Sequence, residues 1–196
     1  SVQSLLLSGA TVINKDGNRQ GFFDSVEELS KVCIRSDQSK NNTYYAISAF
    51  KEKGNRKQDN VRATKVVALD VDCGKSKPYP SWKEGLTALG KFVNDMKLPK
   101  PMVIFSGNGL HVYWVLTKEL DSHKWKVLAS AMKLASVEKQ FHIDAGLTTN
   151  SALVLRPVGT HNPKNGKQVK LLMDAEPVTP EVLSDILTHY VQHPGA

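Results

Sequence analysis

The chain is expected to fold as an α+β protein, a ferredoxin-like βαββαβ unit preceded by a small αβ lobe or N-terminal flank. Three observations lead there. Residues 66–72 form an apolar, β-branched run of strand length that ends in two carboxylates, Asp70 and Asp72. Two segments, opening at Ser81 and near Ser122, carry apolar residues at helical spacing. Between them Asn108-Gly109 is flanked by strand-like apolar runs, a strong hairpin signal.

In chain order, residues 4–12 read as a strand and Lys15-Asp16-Gly17-Asn18 as the turn after it. Ser25 and Glu28 have capping-box spacing and open a short helix through about Cys33. Residues 44–50 read as a strand and 51–60 as a polar, basic loop, which closes an N-terminal part of residues 1–62 without a nameable catalytic constellation. The strand 66–72 begins the motif-bearing part, residues 63–176. A Gly/Lys/Pro loop follows, and Ser81 and Glu84 cap a helix whose Trp82, Leu86, Leu89, Phe92, Val93 and Met96 form a core stripe. Pro99 and Pro101 bracket the strand 102–105; the turn 106–109 leads into the strand 110–116. The second helix turns Trp125, Leu128, Met132 and Ala135 inward, and strands follow at 152–155 and 169–173 around the loop 157–167. Thr179-Pro180-Glu181 supplies a cap, a proline at the first helical position and a first-turn acid for a terminal helix to about Val191, within a last segment 177–196. The whole, 1–196, reads as one domain.

This order has a functional consequence. In a βαββαβ unit the third strand lies antiparallel beside the first, so Asp70 and Asp72 come near His111 at the start of that strand. A fourth strand at 152–155 flanks the first on its other side, so that Asp144, just before it, approaches the same end.

Composition agrees with a globular chain: 196 residues, 40% hydrophobic and 23% charged. No apolar run is long enough to span a bilayer, and the start lacks the basic segment of a secretory signal, so a cytoplasmic protein is expected. With Ser and not Met as the first residue, a trimmed chain or a domain excised from a longer protein is expected. Cys33 and Cys73 have no metal-ligand spacing and are expected as thiols in a reducing compartment. The net charge of +7, 26 basic against 19 acidic side chains, is unevenly spread. Arg56, Lys57 and Arg62 fall in a basic stretch, and Lys164, Lys167 and Lys170 precede any acid until Asp174. A polyanionic partner is favoured, against the plainer reading of basic, soluble loops.

Asp70 and Asp72, two residues apart on a strand, leave one face, where carboxylates repel unless a cation lies between them. Oxygen ligands of this kind suit magnesium or manganese. The bland alternative has one Asp capping the turn at Gly74 and the other in water. Ser106-Gly107-Asn108-Gly109-Leu110-His111 places a hydroxyl, two glycines and an imidazole around one hairpin, suited to phosphate oxygens or simply facing solvent. Arg156, in a strand, runs into a rigid loop with Thr160, Asn162 and Lys164, a fork of donors and a point charge that suit a triphosphate, or a solvated surface loop.

Together and in this order these pieces resemble the archaeo-eukaryotic primase superfamily, in its primase-polymerase branch of phages and mobile elements. That family's first motif is Asp-x-Asp, matched by Asp70 and Asp72. Its second, Ser-x-His within Ser-Gly-x-Gly-x-His-x-Tyr-Trp, is matched by Ser106 to Trp114, and its third, a single later Asp, by Asp144. An Arg-x-Pro-Gly-Thr-x-Asn-x-Lys-like stretch follows in the branch; here Arg156-Pro157-Val158-Gly159-Thr160-His161-Asn162-Pro163-Lys164 departs in having the proline first. The resemblance covers about residues 44–170.

It implies an RRM-like (ferredoxin-like βαββαβ) catalytic half packed with a small N-terminal αβ half, and a template-directed nucleotidyltransferase, a DNA primase or polymerase adding nucleotides from (d)NTPs on a single-stranded DNA template. Its cofactors are two divalent metals, Mg2+ or Mn2+. Asp70, Asp72 and Asp144 would hold the metals; Ser106, Gly107, Asn108, Gly109, His111, Arg156, Thr160, Asn162 and Lys164 would surround the nucleotide, with Asp70, Asp72, Asp144 and His111 catalytic. Arg56, Lys57 and Arg62 would meet DNA. Partners are template, primer and nucleoside triphosphates, with a helicase or C-terminal accessory domain often following in the family, in a host cytoplasm and without a membrane. Two other readings stay open: a catalytically silent RRM-like nucleic-acid-binding or replication-initiator module, in which Tyr113 shares the His111 face for base stacking, and a metal-dependent nuclease.

Overall fold

The computed structural model describes residues 10–14 and 18–192; the expected strand residues 4–9 and the turn 15–17 lie outside the described residues. β1 (Ala10–Asn14) and β2 (Asn18–Phe22) pair antiparallel. Helix α1 (Val26–Gln38) starts where the capping box predicts, with Ser25 Oγ accepting from the Glu28 N–H at 3.2 Å, and runs past Cys33 to end before Lys40 at φ 57°.

The expected strand 44–50 is two strands in different sheets. β3 (Asn42–Ala46) joins a sheet of order β2-β1-β3-β8, where β8 is Val154–Leu155, and β4 (Ser48–Phe50) joins a sheet of order β11-β6-β7-β5-β4, where β11 is Lys170–Met173, β6 Met102–Phe105, β7 Leu110–Leu120 and β5 Val61–Val71. The chain changes layer at buried Ile47, whose N–H donates to the Leu153 carbonyl at 3.1 Å. The larger sheet is built on β5 (Val61–Val71), β6 (Met102–Phe105) and β7 (Leu110–Leu120), all antiparallel to their neighbours. Helix α2 (Trp82–Met96) lies between β5 and β6 in sequence, and α3 (Ser122–Glu138) follows β7.

First, third and second strands thus stand in the predicted order, but the fourth is corrected. The segment expected at 152–155 contributes only β8 (Val154–Leu155), which pairs with β3, Tyr45 opposite Leu155, and not with β5. β4 takes the place beside β5, with Ser48 opposite Thr64. A hairpin-like connection through 51–60 is a shorter closure than a return from residue 152. β4 covers only the first half of β5; on the other half the Asp144 N–H donates to the Asp70 carbonyl at 2.8 Å. Asp144 therefore does approach the carboxylate end, by this route and not by way of a paired strand.

Beyond the short helix α4 (Ala145–Thr148) and β8 come the two-stranded hairpin of β9 (His161–Asn162) and β10 (Lys167–Gln168), then β11 (Lys170–Met173) antiparallel to β6. The expected terminal helix is broken into α5 (Pro180–Ile186), capped by Thr179, and α6 (Thr188–Gln192).

The sheet is buried on both faces. Gly85 of α2 approaches Val71 and Leu110 on one face, while on the other Tyr45 donates to Tyr113 Oη at 3.1 Å and ties the two sheets together. Trp125 anchors α3 by donating to the Val66 carbonyl at 2.8 Å. Cys33 and Cys73 are both buried. Among the described residues no helix is long and apolar enough to cross a membrane.

Candidate active site

Alternation along β5 turns Val71 toward α2 and leaves Asp70 and Asp72 for the opposite face. Asp70 stands directly opposite His111 in the β5–β7 register, with His111 Nε2 4.0 Å from Asp70 Oδ1. Asp72 lies just past the strand, where Lys77 Nζ reaches its Oδ2 at 2.7 Å. All four line a cleft of 540 Å³. Ser106, Asn108 and Gly109 form part of its wall beside the strand ends, and Arg156, Asn162, Lys164 and Asn165 line it from the loop after β8.

The electrostatics follow from burial. The Asp70 carboxyl is pushed up to about 7, first by desolvation and then by the charges of Asp72 and Asp144. His111 is pushed down to about 3 by burial and the Arg156 guanidinium, so at neutral pH it is an uncharged imidazole. Two buried polar atoms here lack protein partners, His111 Nδ1 and Arg156 Nη1. The other Arg156 nitrogen, Nη2, donates to Asn42 Oδ1 at 2.8 Å and Tyr44 Oη at 2.9 Å, and the guanidinium stacks 4.6 Å from the Tyr44 ring centre. A buried donor left over after the arginine has been fixed by two partners is suited to a ligand oxygen.

The glycines serve packing. A Cβ on Gly109 would lie 2.1 Å from the Val71 carbonyl oxygen, and one on Gly107, at φ +94°, 2.7 Å from Asn162 Cβ. The Gly109 N–H donates to Ser106 Oγ at 3.1 Å, and Asn108 donates to the Cys73 carbonyl. The turn is thereby bolted to the end of β5 on one side. On the other, Asn165 donates to the Gly107 carbonyl at 2.8 Å.

Asp144 does not line the cleft but stands beside Asp70, close enough for its charge to raise that carboxyl, while its Oδ1 accepts from the Gly146 and Leu147 N–H groups at 3.1 Å and caps α4. Other expected site residues stand further off. Thr160 is buried, its hydroxyl donating to the Pro157 carbonyl at 2.7 Å. Arg56 donates to the Ala152 carbonyl and Arg62 pairs with Glu119 at 3.0 Å, while Lys57 is exposed; these three sit by the start of β5, the end away from Asp70. Besides the apolar Val154 and Leu155, three polar cleft residues escaped the sequence reading. Lys77 lay within the basic loop directly after Asp72 and could have been marked by that position; Asn165 follows Lys164 closely. Tyr44 carries no local signal, because its place depends on β3 pairing with β8.

Among the described residues no three His, Cys, Asp or Glu side chains form a ready-made metal cage. Asp70 and Asp72 nonetheless fit magnesium or manganese, which take one or two carboxylates and fill the remaining positions with water and substrate phosphate. Their donor set is oxygen only, and a cation between them would offset the repulsion from Asp72 that helps raise the Asp70 carboxyl.

The β9–β10 hairpin carries Asn162, Lys164 and Asn165 and is held from outside by α1. Asp37 accepts from the His161 N–H through Oδ1 at 2.6 Å, and its Oδ2 lies 2.9 Å from His161 Nδ1. Asp37→Ala is expected to lower unfolding free energy by about 1–3 kcal/mol, measured by urea denaturation, since both bonds involve a carboxylate that is largely buried.

No protein-family model and no curated protein matches the chain. Solved structures do. The AEP domain of the cyanophage S-2L primase-polymerase aligns with TM-score 0.72 at 14% identity over 95% of this chain and 94% of that one. The catalytic domain of primase RepB′, in complex with initiator DNA, aligns with TM-score 0.60 at 14% identity, covering 95% of this chain and 88% of that one. The polymerase domain of Mycobacterium tuberculosis Ligase D, in complex with DNA, gives 0.53 at 16% over 96% and 72%. All three are primase-polymerase-type domains of the superfamily that the sequence motifs resemble. The chain has their fold, a mixed α+β architecture on a mostly antiparallel sheet.

Proposed function

We propose that this chain, with the fold of primase-polymerase catalytic domains, is a template-directed nucleotidyltransferase that extends or starts strands on single-stranded DNA from nucleoside triphosphates. The observation that carries the reading is the polarity of the cleft: carboxylates on the β5 side, and Arg156 and Lys164 on the loop side, with the two unpartnered atoms of His111 and Arg156 buried within it. A nucleoside triphosphate needs both halves, cation ligands for its metal-bound oxygens and donors for the rest.

Asp70 and Asp72 are the metal ligands in this reading, and Asp144, whose Oδ1 caps α4, has its other oxygen left to join them. When bound, the cations supply activation of the attacking hydroxyl and stabilisation of the leaving pyrophosphate. The chain's own side chains do the rest. Neutral His111 and the fixed Arg156 donate to phosphate oxygens, Ser106 offers its hydroxyl hydrogen, and Lys164 adds a point charge. The RRM-like catalytic part is then built mainly from residues 63–176 and completed by β4 from the N-terminal part, while β8 pairs with the smaller sheet. That two similar domains were solved with DNA supports DNA as the partner here.

The silent RRM-like module would account for the basic surplus, but Tyr113 is fully buried under Tyr45 and offers no face on which a base could stack. A nuclease has no use for the donor set at Arg156 and Lys164 beyond a single phosphate. The test is nucleotide incorporation with magnesium or manganese by wild type and His111→Asn, beside a single-strand DNA titration. His111→Asn is expected to lower kcat/KM for the nucleotide about tenfold to hundredfold, the value of one or two buried hydrogen bonds to phosphate, with DNA affinity unchanged. Wild type that incorporates nothing, or a variant that extends primers normally, would refute this assignment.

A further inference from the structure

We propose that Lys77 changes partner as the carboxylate pair fills: its ammonium neutralises Asp72 in the metal-free protein and turns to a phosphate oxygen of the incoming triphosphate once a divalent cation is present. The triphosphate half of this rests on the nucleotidyltransferase reading; the carboxylate half rests on the cleft itself.

Lys77 Nζ lies 2.7 Å from Asp72 Oδ2, on the wall that also carries Asp70. It occupies the space by Asp72 that a cation would take, and a cation bound there would repel it. Its backbone cannot follow. Cys73 and Tyr79 bridge the base of the loop, the Gly74 N–H donates to the Tyr79 carbonyl at 2.9 Å, the Lys77 N–H donates to the Gly74 carbonyl at 3.0 Å, and Asn108 holds the Cys73 carbonyl. The side chain is free where the loop is not: it is 45% exposed, and a four-carbon stem lets the head swing from a fixed Cα.

Where the head goes is set by charge. Of the cationic side chains lining the cleft, Arg156 and Lys164 come from the loop after β8, and Lys77 comes from the β5–α2 side. A triphosphate lying between the walls, with its metal on Asp70 and Asp72, meets Lys77 beside the metal and Arg156 across from it. The ammonium released from Asp72 then has a phosphate oxygen for a partner, a stronger one than an exposed carboxylate.

Manganese alone, followed by electron paramagnetic resonance, and a non-hydrolysable deoxynucleoside triphosphate at saturating manganese, followed by calorimetry, test this on wild type, Lys77→Met and Lys77→Gln. Melting curves verify that both variants are folded. Both variants are expected to bind manganese about two- to fivefold more tightly, as a competing exposed ion pair is removed, and the triphosphate about tenfold more weakly. The opposite signs are the signature. Two losses, two gains, or no change in either constant overturns the proposal, as does a wild type that binds no manganese. Opposite signs without nucleotide incorporation by wild type would sink the polymerase reading and leave the partner change standing; incorporation with same-sign shifts would do the reverse.

Discussion

Asp70→Asn is expected to reduce nucleotide incorporation at least about a hundredfold while making the metal-free protein more stable at pH 8. The two effects have one cause. Burial and the neighbouring Asp72 and Asp144 raise the Asp70 carboxyl from 3.8 to about 7, so the folded protein prefers it protonated. As pH rises from about 4 to 7 the unfolded chain gives up this proton and the folded chain keeps it, so stability falls through that window and levels off above it. Asparagine removes the penalty, which for a shift of this size is on the order of 2–4 kcal/mol at pH 8 and vanishes below about pH 4. Melting curves in chelator across pH 4–8 should show the variant's advantage growing with pH, and added manganese should stabilise wild type and leave the variant where it was. Incorporation above a tenth of wild type, or a pH-independent difference in melting, contradicts the role given to this carboxylate.

Gly109→Ala and Gly90→Ala are expected to change stability in opposite directions. Gly109 has the Val71 carbonyl 2.1 Å from where a Cβ would sit, and that oxygen belongs to the strand that carries Asp70. A methyl there forces the turn off β5, at about 2–4 kcal/mol, and breaks the Asn108–Cys73 and Gly109–Ser106 bonds. Incorporation should fall with it, since His111 and Asp70 are register partners two residues away. Gly90 is exposed within α2 with nothing within 4 Å of a Cβ, so alanine there should stabilise by about 0.5–1 kcal/mol through helix propensity and a less free unfolded chain. Guanidinium denaturation of both reads the two signs directly.

Features that one segment decides were legible in the sequence. The apolar run to Asp70, the Asn108-Gly109 turn and the caps at Ser25, Ser81 and Thr179 each follow from a few neighbouring residues, and each is where the pattern puts it. The meeting of Asp70 with His111 was legible one step further on, because strand order fixes register. The partner of β5 was not. Residues 48–50 and 152–155 are both short and apolar, and the choice between them is made by loop closure and burial across the whole chain. Tyr44 and Lys77 reach the cleft through the same long-range choices, and the reason for Gly109 appears only when the Val71 carbonyl is seen beside it.

The layers also trade strands: β4, from the N-terminal part, completes the larger sheet, and β8, from beyond α3, completes the smaller. Each is clasped by a segment of the other, and the Tyr45–Tyr113 bond closes the clasp. A hinge between the two would have to peel off a paired strand, so slow closure of one sheet over the other, on the microsecond-to-millisecond scale, is disfavoured at this cleft. Substrate admission falls instead to side chains on its rim, Lys77 and Lys164 among them, whose rotamers exchange in picoseconds to nanoseconds. Entry and exit of nucleotides should therefore run without a gating step, and relaxation-dispersion signals should be absent from β3, β5 and β7 with or without nucleotide.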